Sequence, residues 1–190
     1  MITKDQLLHH AEADIDSLFK IHRTYWKGAR YDILKRICSG SKNILSVGCG
    51  PREPIILNSS HALDLSPLSE KYLMQKGWKG EFRTGSALDL PYDDKSFEIV
   101  VCSEVIEHLP IIQDVIQVFK EVSRVGKKWI ITTPNSNVIK PEAQNIHHLL
   151  FFTPELIKKI VHTQLNLMCK VYTNDHHIYI ESLPNDERTA

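Results

Sequence analysis

The segment Ile44-Leu45-Ser46-Val47-Gly48-Cys49-Gly50 is an apolar run that ends in a pair of glycines. Glycines in this position let a chain turn sharply after a strand and come close to a ligand, whose polar groups then meet backbone N–H groups. Two glycines after a strand also form ordinary tight turns. The segment therefore predicts a strand and a turn, and a ligand site only if other features agree.

Short apolar runs alternate with helical patterns on the carboxyl side of this turn. The helical segment 112–125 places its apolar residues on one face, and Ser66 and Thr153, each followed by proline, are typical helix starts. Repeated strand–helix–strand units indicate a parallel sheet with helices on both faces. Only residues 174–177 separate the last two runs, which allows a hairpin and an antiparallel edge. The predicted strands are 43–47, 61–65, 80–84, 97–103, 128–133, 168–173 and 178–183.

The composition is that of one globular domain. The 190 residues carry 23 basic and 23 acidic side chains, so long-range attraction to nucleic acid is not favoured. Four cysteines without a C-x-x-C pair predict free thiols in a reducing compartment. No apolar run approaches the length of a membrane span, and the amino terminus has no signal-peptide pattern. We expect a cytoplasmic protein without membrane contact.

The domain divides into an N-terminal helical lid at 1–40, a core at 41–184 and a tail at 185–190. Aromatic and basic residues interleave at 22–31, and the segment 20–42 has seven basic residues against one acid, Asp32. Such a segment could contact phosphates or stack a base. The favoured interpretation is an amphipathic helix that covers the sheet, with Tyr25, Trp26 and Tyr31 near a substrate pocket.

An acid, Asp64, ends the strand that follows the glycine turn. At that position a carboxylate can accept two hydrogen bonds from a ribose diol. The alternative is a solvated aspartate near a helix start. Further motifs follow at 85–92, at 101–109 and at Thr133-Pro134-Asn135.

With these motifs, residues 43–165 resemble the small class I S-adenosylmethionine-dependent methyltransferases. The resemblance implies a Rossmann-like, doubly wound, seven-stranded and mostly parallel sheet with one antiparallel edge strand. It also implies S-adenosylmethionine as methyl donor. The residues that match donor-binding positions are Gly48, Cys49 and Gly50 for the amino-acid and ribose part, Asp64 for the ribose, Leu65, Ser86, Ala87 and Leu88 for the adenine, and Ser103 for the wall near the sulfur.

Three positions depart from the family pattern. Ser46 stands where an acid usually helps to place the donor's amino group, and Ser86 stands where an aspartate often accepts from the adenine. Arg52 replaces the third glycine, and it could instead reach the donor carboxylate. We expect weaker donor binding, by about 1 kcal/mol for each lost hydrogen bond.

Glu104, Glu107 and His108 follow the fourth predicted strand. In one helical turn they would point the same way and, with His147 or His148, could hold a divalent cation. The spacing resembles the small-RNA 3′-end 2′-O-methyltransferases and the quinone-biosynthesis O-methyltransferases. A metal would bind the acceptor oxygen and lower its pKa. Without metal, His108 or Glu104 could act as general base. The predicted metal set is Glu104, Glu107, His108 and His147, and the predicted catalytic set is Glu104, Glu107, His108 and His148.

The sequence thus predicts a methyltransferase that acts on a hydroxyl of a small-molecule acceptor. Absence of an Asn-Pro-Pro-Tyr motif at Cys102-Ser103-Glu104-Val105 speaks against methylation of base amines. Two alternatives stay open: a metal-assisted RNA 3′-terminal ribose 2′-O-methyltransferase, and a non-catalytic binding protein with a weakened donor site. The sequence makes no prediction of the oligomeric state.

Overall fold

The computed structural model describes residues 8, 29–140, 147–174 and 176–183. The predicted lid therefore lies largely outside the described residues, as do Tyr25, Trp26 and the tail at 185–190. Within the described part, no helix is long and apolar enough to cross a membrane.

Seven strands and five helices make up the described part of the chain. All seven predicted strands are present, and the short connection after the glycine turn leaves room for a helix of only five residues, α2. A 3₁₀ turn at Ile106–His108 follows β4, and a π-helical segment at Lys159–Gln164 follows α5. The strands are β1 Ile44–Val47, β2 His61–Asp64, β3 Glu81–Thr84, β4 Phe97–Ser103, β5 Gly126–Pro134, β6 Cys169–Asn174 and β7 His177–Ser182; the helices are α1 Ala29–Cys38, α2 Glu53–Leu57, α3 Leu68–Gln75, α4 Ile112–Val125 and α5 Pro154–Lys158.

The strands form one seven-stranded sheet in the order β3-β2-β1-β4-β5-β7-β6. Neighbours from β3 to β5 pair in parallel, whereas β7 is antiparallel to both β5 and β6. The predicted fold class is confirmed. Its antiparallel edge is a hairpin in which β7 lies inside and β6 outside. The strand order reverses between β1 and β4, and ligands of such sheets bind at the carboxyl ends of the strands beside that reversal.

Helices cover the sheet on both faces. On one face α4 and α5 contribute Phe119 and Ile157 to a core that includes Ile131. On the other, α1 contributes Leu34 to a core that includes Ile130. Side chains of successive strand residues point to opposite faces, so the two faces of β5 lead to two different surroundings at its carboxyl end.

Candidate active site

The glycine turn after β1 is closed by β2. The N–H groups of Gly48 and Cys49 both donate to the carbonyl of Leu63, at 2.8 and 3.2 Å, and the N–H of Gly50 donates to Oδ2 of Asp64 at 2.8 Å. The expectation that these N–H groups face a ligand is therefore wrong. The neighbouring parallel strand ends beside the turn, and its last acceptors satisfy the N–H groups first.

Gly48 and Gly50 both have positive φ, 61° and 54°. A Cβ on Gly48 would overlap Cγ2 of Val105, which follows β4. A Cβ on Gly50 would meet nothing within 4 Å. Gly48 thus permits close packing inside the protein, whereas Gly50 borders open space at the carboxyl end of β1.

Asp64 is buried and fastens the turn from its other side as well. Its Oδ1 accepts from the N–H of Ser66 at 2.9 Å, while Oδ2 holds Gly50. Burial raises the pKa of Asp64, and these two backbone N–H groups oppose the rise. The side chains of Ser69 and Cys49 act on the pKa in the same direction, and binding of a ribose diol by Asp64 stays a prediction. The half-buried Leu65 follows directly.

The predicted adenine segment adjoins Asp64. The N–H of Gly85 donates to the Asp64 carbonyl at 2.9 Å, which places 86–88 at the end of β3 beside β2. Ser86 Oγ accepts from the N–H of Leu88 at 3.2 Å, and Nε2 of Gln117 on α4 donates to the Leu88 carbonyl at 3.1 Å. Ser86, Ala87 and Leu88 are half-buried.

Glu104 follows β4 at an unusual backbone conformation, with φ of 58°. Its Oε1 accepts from Oγ1 of Thr132 at 2.9 Å, and its Oε2 lies 3.0 Å from Nη1 of Arg30 and 3.4 Å from Nε2 of His177. Burial alone would raise the pKa of Glu104, but Arg30 and His177 hold it well below its usual range. Glu104 is therefore an anion bound by α1 and β7.

Glu107, His108 and His148 form the group that could hold a cation in the described part of the chain. Their ligand atoms lie within 4.8 Å of one another. Oε2 of Glu107 accepts from Thr133 Oγ1 at 3.0 Å, and its other oxygen, Oε1, has no hydrogen-bond partner among the described residues. Nδ1 of His108 contacts the carbonyl of His147 at 3.2 Å. Because a carbonyl only accepts, Nδ1 carries the proton and Nε2 keeps its lone pair.

The predicted single face for Glu104, Glu107 and His108 is wrong. The helical turn begins at Ile106, after Glu104, and is a 3₁₀ turn. The adjacent residues Thr132 and Thr133 project to opposite sides of β5, and each binds one of the two glutamates. Glu104 thus faces α1, whereas Glu107 faces the α4 side. The carboxylate of Glu104 does not belong to the group formed by Glu107, His108 and His148.

His147 and His148 also have different roles. The N–H groups of Leu149 and Leu150 donate to the Glu107 carbonyl at 2.8 and 3.0 Å, which docks this segment against the turn. His148 then stands over His108, with ring centroids 4.8 Å apart. His147, the residue in the predicted metal set, contributes its backbone carbonyl, and His148 contributes its ring to the group of three. Metal binding itself stays a prediction.

Two charged residues of the site were missed by the sequence reasoning. Glu53, in the first turn of α2, is 4% exposed. Arg30, in the first turn of α1, has a side chain that is 16% exposed. A signal was present for Arg30, because it stands one helical turn before the buried Leu34 and so on the sheet-facing stripe of α1. For Glu53 no comparable pattern exists in a helix of five residues.

Glu53 lies between the carboxyl ends of β1 and β4. Burial raises its pKa to about 8, while Arg30 and the hydroxyls of Ser46 and Ser103 oppose the rise. Those hydroxyls also bind neighbours: Ser46 Oγ lies 2.8 Å from Ser59 Oγ, and Ser103 Oγ lies 2.9 Å from Thr132 Oγ1. Arg52 directly precedes Glu53, is half-buried and stays a predicted donor ligand.

Residues 45–129 match the protein family described as "Methyltransferase domain". The matched segment begins in β1 and ends in β5, so it contains the glycine turn, Asp64, the 86–88 segment and the Glu104–His108 turn. No curated protein sequence matches the chain.

Solved structures share the architecture over nearly the whole chain. The DhpI–SAH complex is similar with a TM-score of 0.73 and 17% identity, covering 95% of this chain and 96% of that one. PH0226 from Pyrococcus horikoshii OT3 is similar with a TM-score of 0.66 and 17% identity, covering 89% of this chain and 99% of that one. An S-adenosylmethionine-dependent methyltransferase from Clostridium acetobutylicum is similar with a TM-score of 0.64 and 14% identity, covering 93% of this chain and 99% of that one. At such identities the likeness concerns the fold. The family match places a methyltransferase domain at residues 45–129, and the solved structures show that the chain around it has the same fold.

Proposed function

We propose that the protein transfers the methyl group of S-adenosylmethionine to a hydroxyl of a small molecule. The observation that carries this proposal is the state of His108. Its Nδ1 donates to the His147 carbonyl, and its imidazole lies in one group with the carboxylate of Glu107 and the ring of His148. A hydroxyl acceptor needs a base at this point, because its proton must leave as the oxygen attacks.

The donor supplies an electrophilic methyl group on a sulfonium. The acceptor oxygen attacks that carbon in line with the carbon–sulfur bond, a carbon–oxygen bond forms, and the donor leaves as the neutral thioether. His108 Nε2 takes the hydroxyl proton. The carboxyl end of β1, opened at Gly50, receives the donor, and Glu107 and His148 orient the acceptor and the imidazole.

A divalent cation is compatible with the same group. Two imidazoles and one carboxylate are a donor set that zinc and manganese accept, and Oε1 of Glu107 has no other partner among the described residues. Glu107, His108 and His148 would hold the ion, and a bound ion would lower the pKa of the acceptor hydroxyl. Turnover measured after chelation and after return of magnesium, manganese or zinc tests this form of the proposal.

A screen of hydroxylated metabolites that follows S-adenosylhomocysteine release tests the function directly. With a turned-over acceptor, we expect His108→Ala to lower kcat by about 100-fold or more, as for loss of a general base. Affinity for S-adenosylhomocysteine should stay unchanged. His61→Ala is the matched control, because His61 begins β2 at the opposite end of the sheet. Methylation of amines that is unaffected by His108→Ala would contradict the proposal.

The second candidate is an RNA 3′-terminal ribose 2′-O-methyltransferase. The cation-compatible group Glu107, His108 and His148 favours it, because a ribose diol is a good ligand for a metal at that place. Binding of a short RNA that weakens steeply with salt, together with metal-dependent methylation of its 3′ end, would support it. Absence of RNA binding at low salt would exclude this second candidate and leave the small-molecule proposal.

The third alternative, a non-catalytic binding protein with a weakened donor site, is tested by the same assays. It predicts no S-adenosylhomocysteine release with any acceptor. The group formed by the buried Glu107 and the half-buried His108 and His148 supports the enzymatic alternative.

A further inference from the structure

Sheets of this topology bind ligands in a crevice at the carboxyl ends of the strands beside the reversal, here β1 and β4, and two buried groups there have unused hydrogen-bonding atoms. One is Nε of Arg30, a donor, and the other is Oε1 of Glu53, an acceptor. Neither atom has a hydrogen-bond partner among the described residues. A buried polar group without a partner is costly, so such atoms in a crevice point to a ligand that satisfies them.

Arg30 is held with its charge in the crevice. Its Nη1 lies 3.0 Å from Oε2 of Glu104, and its guanidinium carbon lies 4.9 Å from the centroid of the Tyr31 ring. These contacts fix one end of the guanidinium and leave Nε–H unused. Such a group, already charged and positioned, is a binding site for a carboxylate.

Glu53 supplies the opposite chemistry. Its carboxyl is 4% exposed and lies near Ser46, the third residue of β1, and Ser103, the last residue of β4. A buried carboxyl without a bound cation is unfavourable as an anion. An ammonium group in the crevice would restore the charge balance and use Oε1.

A guanidinium and a carboxyl group that gives up its proton when an ammonium group binds beside it match the two charges of an α-amino acid. We propose that Arg30 and Glu53 bind the carboxylate and the ammonium of the amino-acid end of the methyl donor. This inference rests on the proposed function. It also gives the serine at position 46 a physical explanation, because an acid from α2 occupies the space beside it and β1 needs none.

Glu53 and Arg30 thus replace Arg52 and Ser46 as the expected ligands of the amino-acid end. Arg52 lies at the start of α2, where its side chain makes no hydrogen bond that caps the helix. The affinities of Arg30→Met and Arg52→Met for S-adenosylhomocysteine therefore decide which arginine binds the carboxylate.

Calorimetry on the full chain with three ligands tests the proposal. S-adenosylhomocysteine has both charged groups, its deaminated analogue lacks the ammonium, and 5′-methylthioadenosine lacks the whole amino-acid end. We expect Glu53→Gln to weaken the binding of S-adenosylhomocysteine by about 10- to 100-fold, as for loss of one charged hydrogen bond. The same substitution should change the other two ligands by less than about twofold.

The arginine is tested with the decarboxylated analogue of S-adenosylhomocysteine. Arg30→Met should weaken S-adenosylhomocysteine by about 10- to 100-fold and leave the decarboxylated analogue nearly unchanged. Arg30→Lys, which keeps the charge for Glu104, serves if the methionine variant does not fold. Glu70→Gln on α3 and Arg36→Met on α1, which change exposed residues, are the matched controls and should bind every ligand as the wild type does.

The outcomes separate this inference from the proposed function. If the wild type binds S-adenosylhomocysteine and Glu53→Gln or Arg30→Met binds it equally well, the inference fails while the donor site stands. A variant that loses affinity for 5′-methylthioadenosine as much as for S-adenosylhomocysteine also overturns the inference, because that pattern indicates collapse of the site. If the wild type binds none of the ligands, the proposed function fails and the inference with it.

Discussion

At the residue scale, Gly48 and Gly50 share a positive φ but have different surroundings. A Cβ at Gly48 would overlap Val105, whereas a Cβ at Gly50 enters open space. We predict that Gly48→Ala lowers the free energy of unfolding by about 2–4 kcal/mol, because backbone strain and a clash add together. Gly50→Ala should cost about 1 kcal/mol from backbone strain alone. Urea unfolding of both variants measures the difference.

The two glycines should also differ in ligand binding. The methyl group of Gly50→Ala lies where the donor is proposed to bind, so this variant should lose affinity for S-adenosylhomocysteine while it keeps most of its stability. Equal loss of stability in the two variants would contradict the assigned roles.

Glu53 predicts a pH dependence of stability. Burial raises its pKa to about 8 in the folded protein, opposed by Arg30 and by the hydroxyls of Ser46 and Ser103, while the charge of Glu104 adds to the rise. The folded state therefore keeps a proton that the unfolded state loses near pH 4.5, the ordinary pKa of glutamate. Stability should fall as the pH rises from about 5 to 8, because the folded state binds more protons there.

The difference between wild type and Glu53→Gln isolates this effect from other titrations. Thermal unfolding from pH 5 to 8 should show the wild type losing at least about 2 °C relative to the variant, which has no proton to lose. A difference in Tm that stays constant over this range would refute the buried, protonated state of Glu53.

At the element scale, α4 fastens the loop that follows β3. Arg124 donates to the carbonyls of Leu90 and Tyr92 at 2.9 and 2.7 Å, and Glu121 accepts from the N–H of Leu90 at 2.8 Å. Arg124 also pairs with Glu121 at 2.7 Å. This loop carries the predicted adenine segment 86–88, so the helix positions a part of the donor site.

We predict that Arg124→Met speeds hydrogen exchange in residues 88–94. It should also lower the free energy of unfolding by about 1–3 kcal/mol, because the carbonyls of Leu90 and Tyr92 lose their donor. Lys120→Met is the matched control, because Lys120 is an exposed residue of the same helix. Unchanged exchange in the loop of Arg124→Met would contradict the role of α4.

The docked segment at 147–150 predicts which histidine binds a cation. His148 contributes its ring to the group with Glu107 and His108, whereas His147 contributes a backbone carbonyl that any residue can supply. In zinc or manganese calorimetry, His148→Ala should bind at least about 10-fold more weakly than wild type, and His147→Ala should bind as the wild type does. The opposite order would restore the ligand set predicted from sequence.

At the scale of the whole molecule, the strands and the long helix were predictable because each signal is local. Ile112–Val125 is a helix with the predicted bounds, and Thr153 caps α5 through its hydroxyl, which accepts from the N–H of Leu156. The seven-stranded sheet with one antiparallel edge strand was expected from the resemblance to a known family, and its strand order was not predicted. Local patterns alone do not specify which strands become neighbours.

The charged part of the site was not predictable from spacing. Arg30 meets Glu104 only because α1 packs beside the end of β4, and Glu107 is separated from Glu104 by the alternation of Thr132 and Thr133. A positive φ at Glu104 removes that residue from the helical turn on which the predicted set depended. Tertiary packing and a single backbone angle therefore decided which side chains converge.

The central claim is that the carboxyl end of the sheet binds the methyl donor. Titration of the full-length wild-type chain with S-adenosylhomocysteine in a calorimeter tests it most directly. We predict one ligand bound per chain with a Kd below about 100 µM, and a Tm raised by about 5 °C at 100-fold excess over Kd. Absence of both heat and a Tm shift at about 1 mM ligand would contradict the claim.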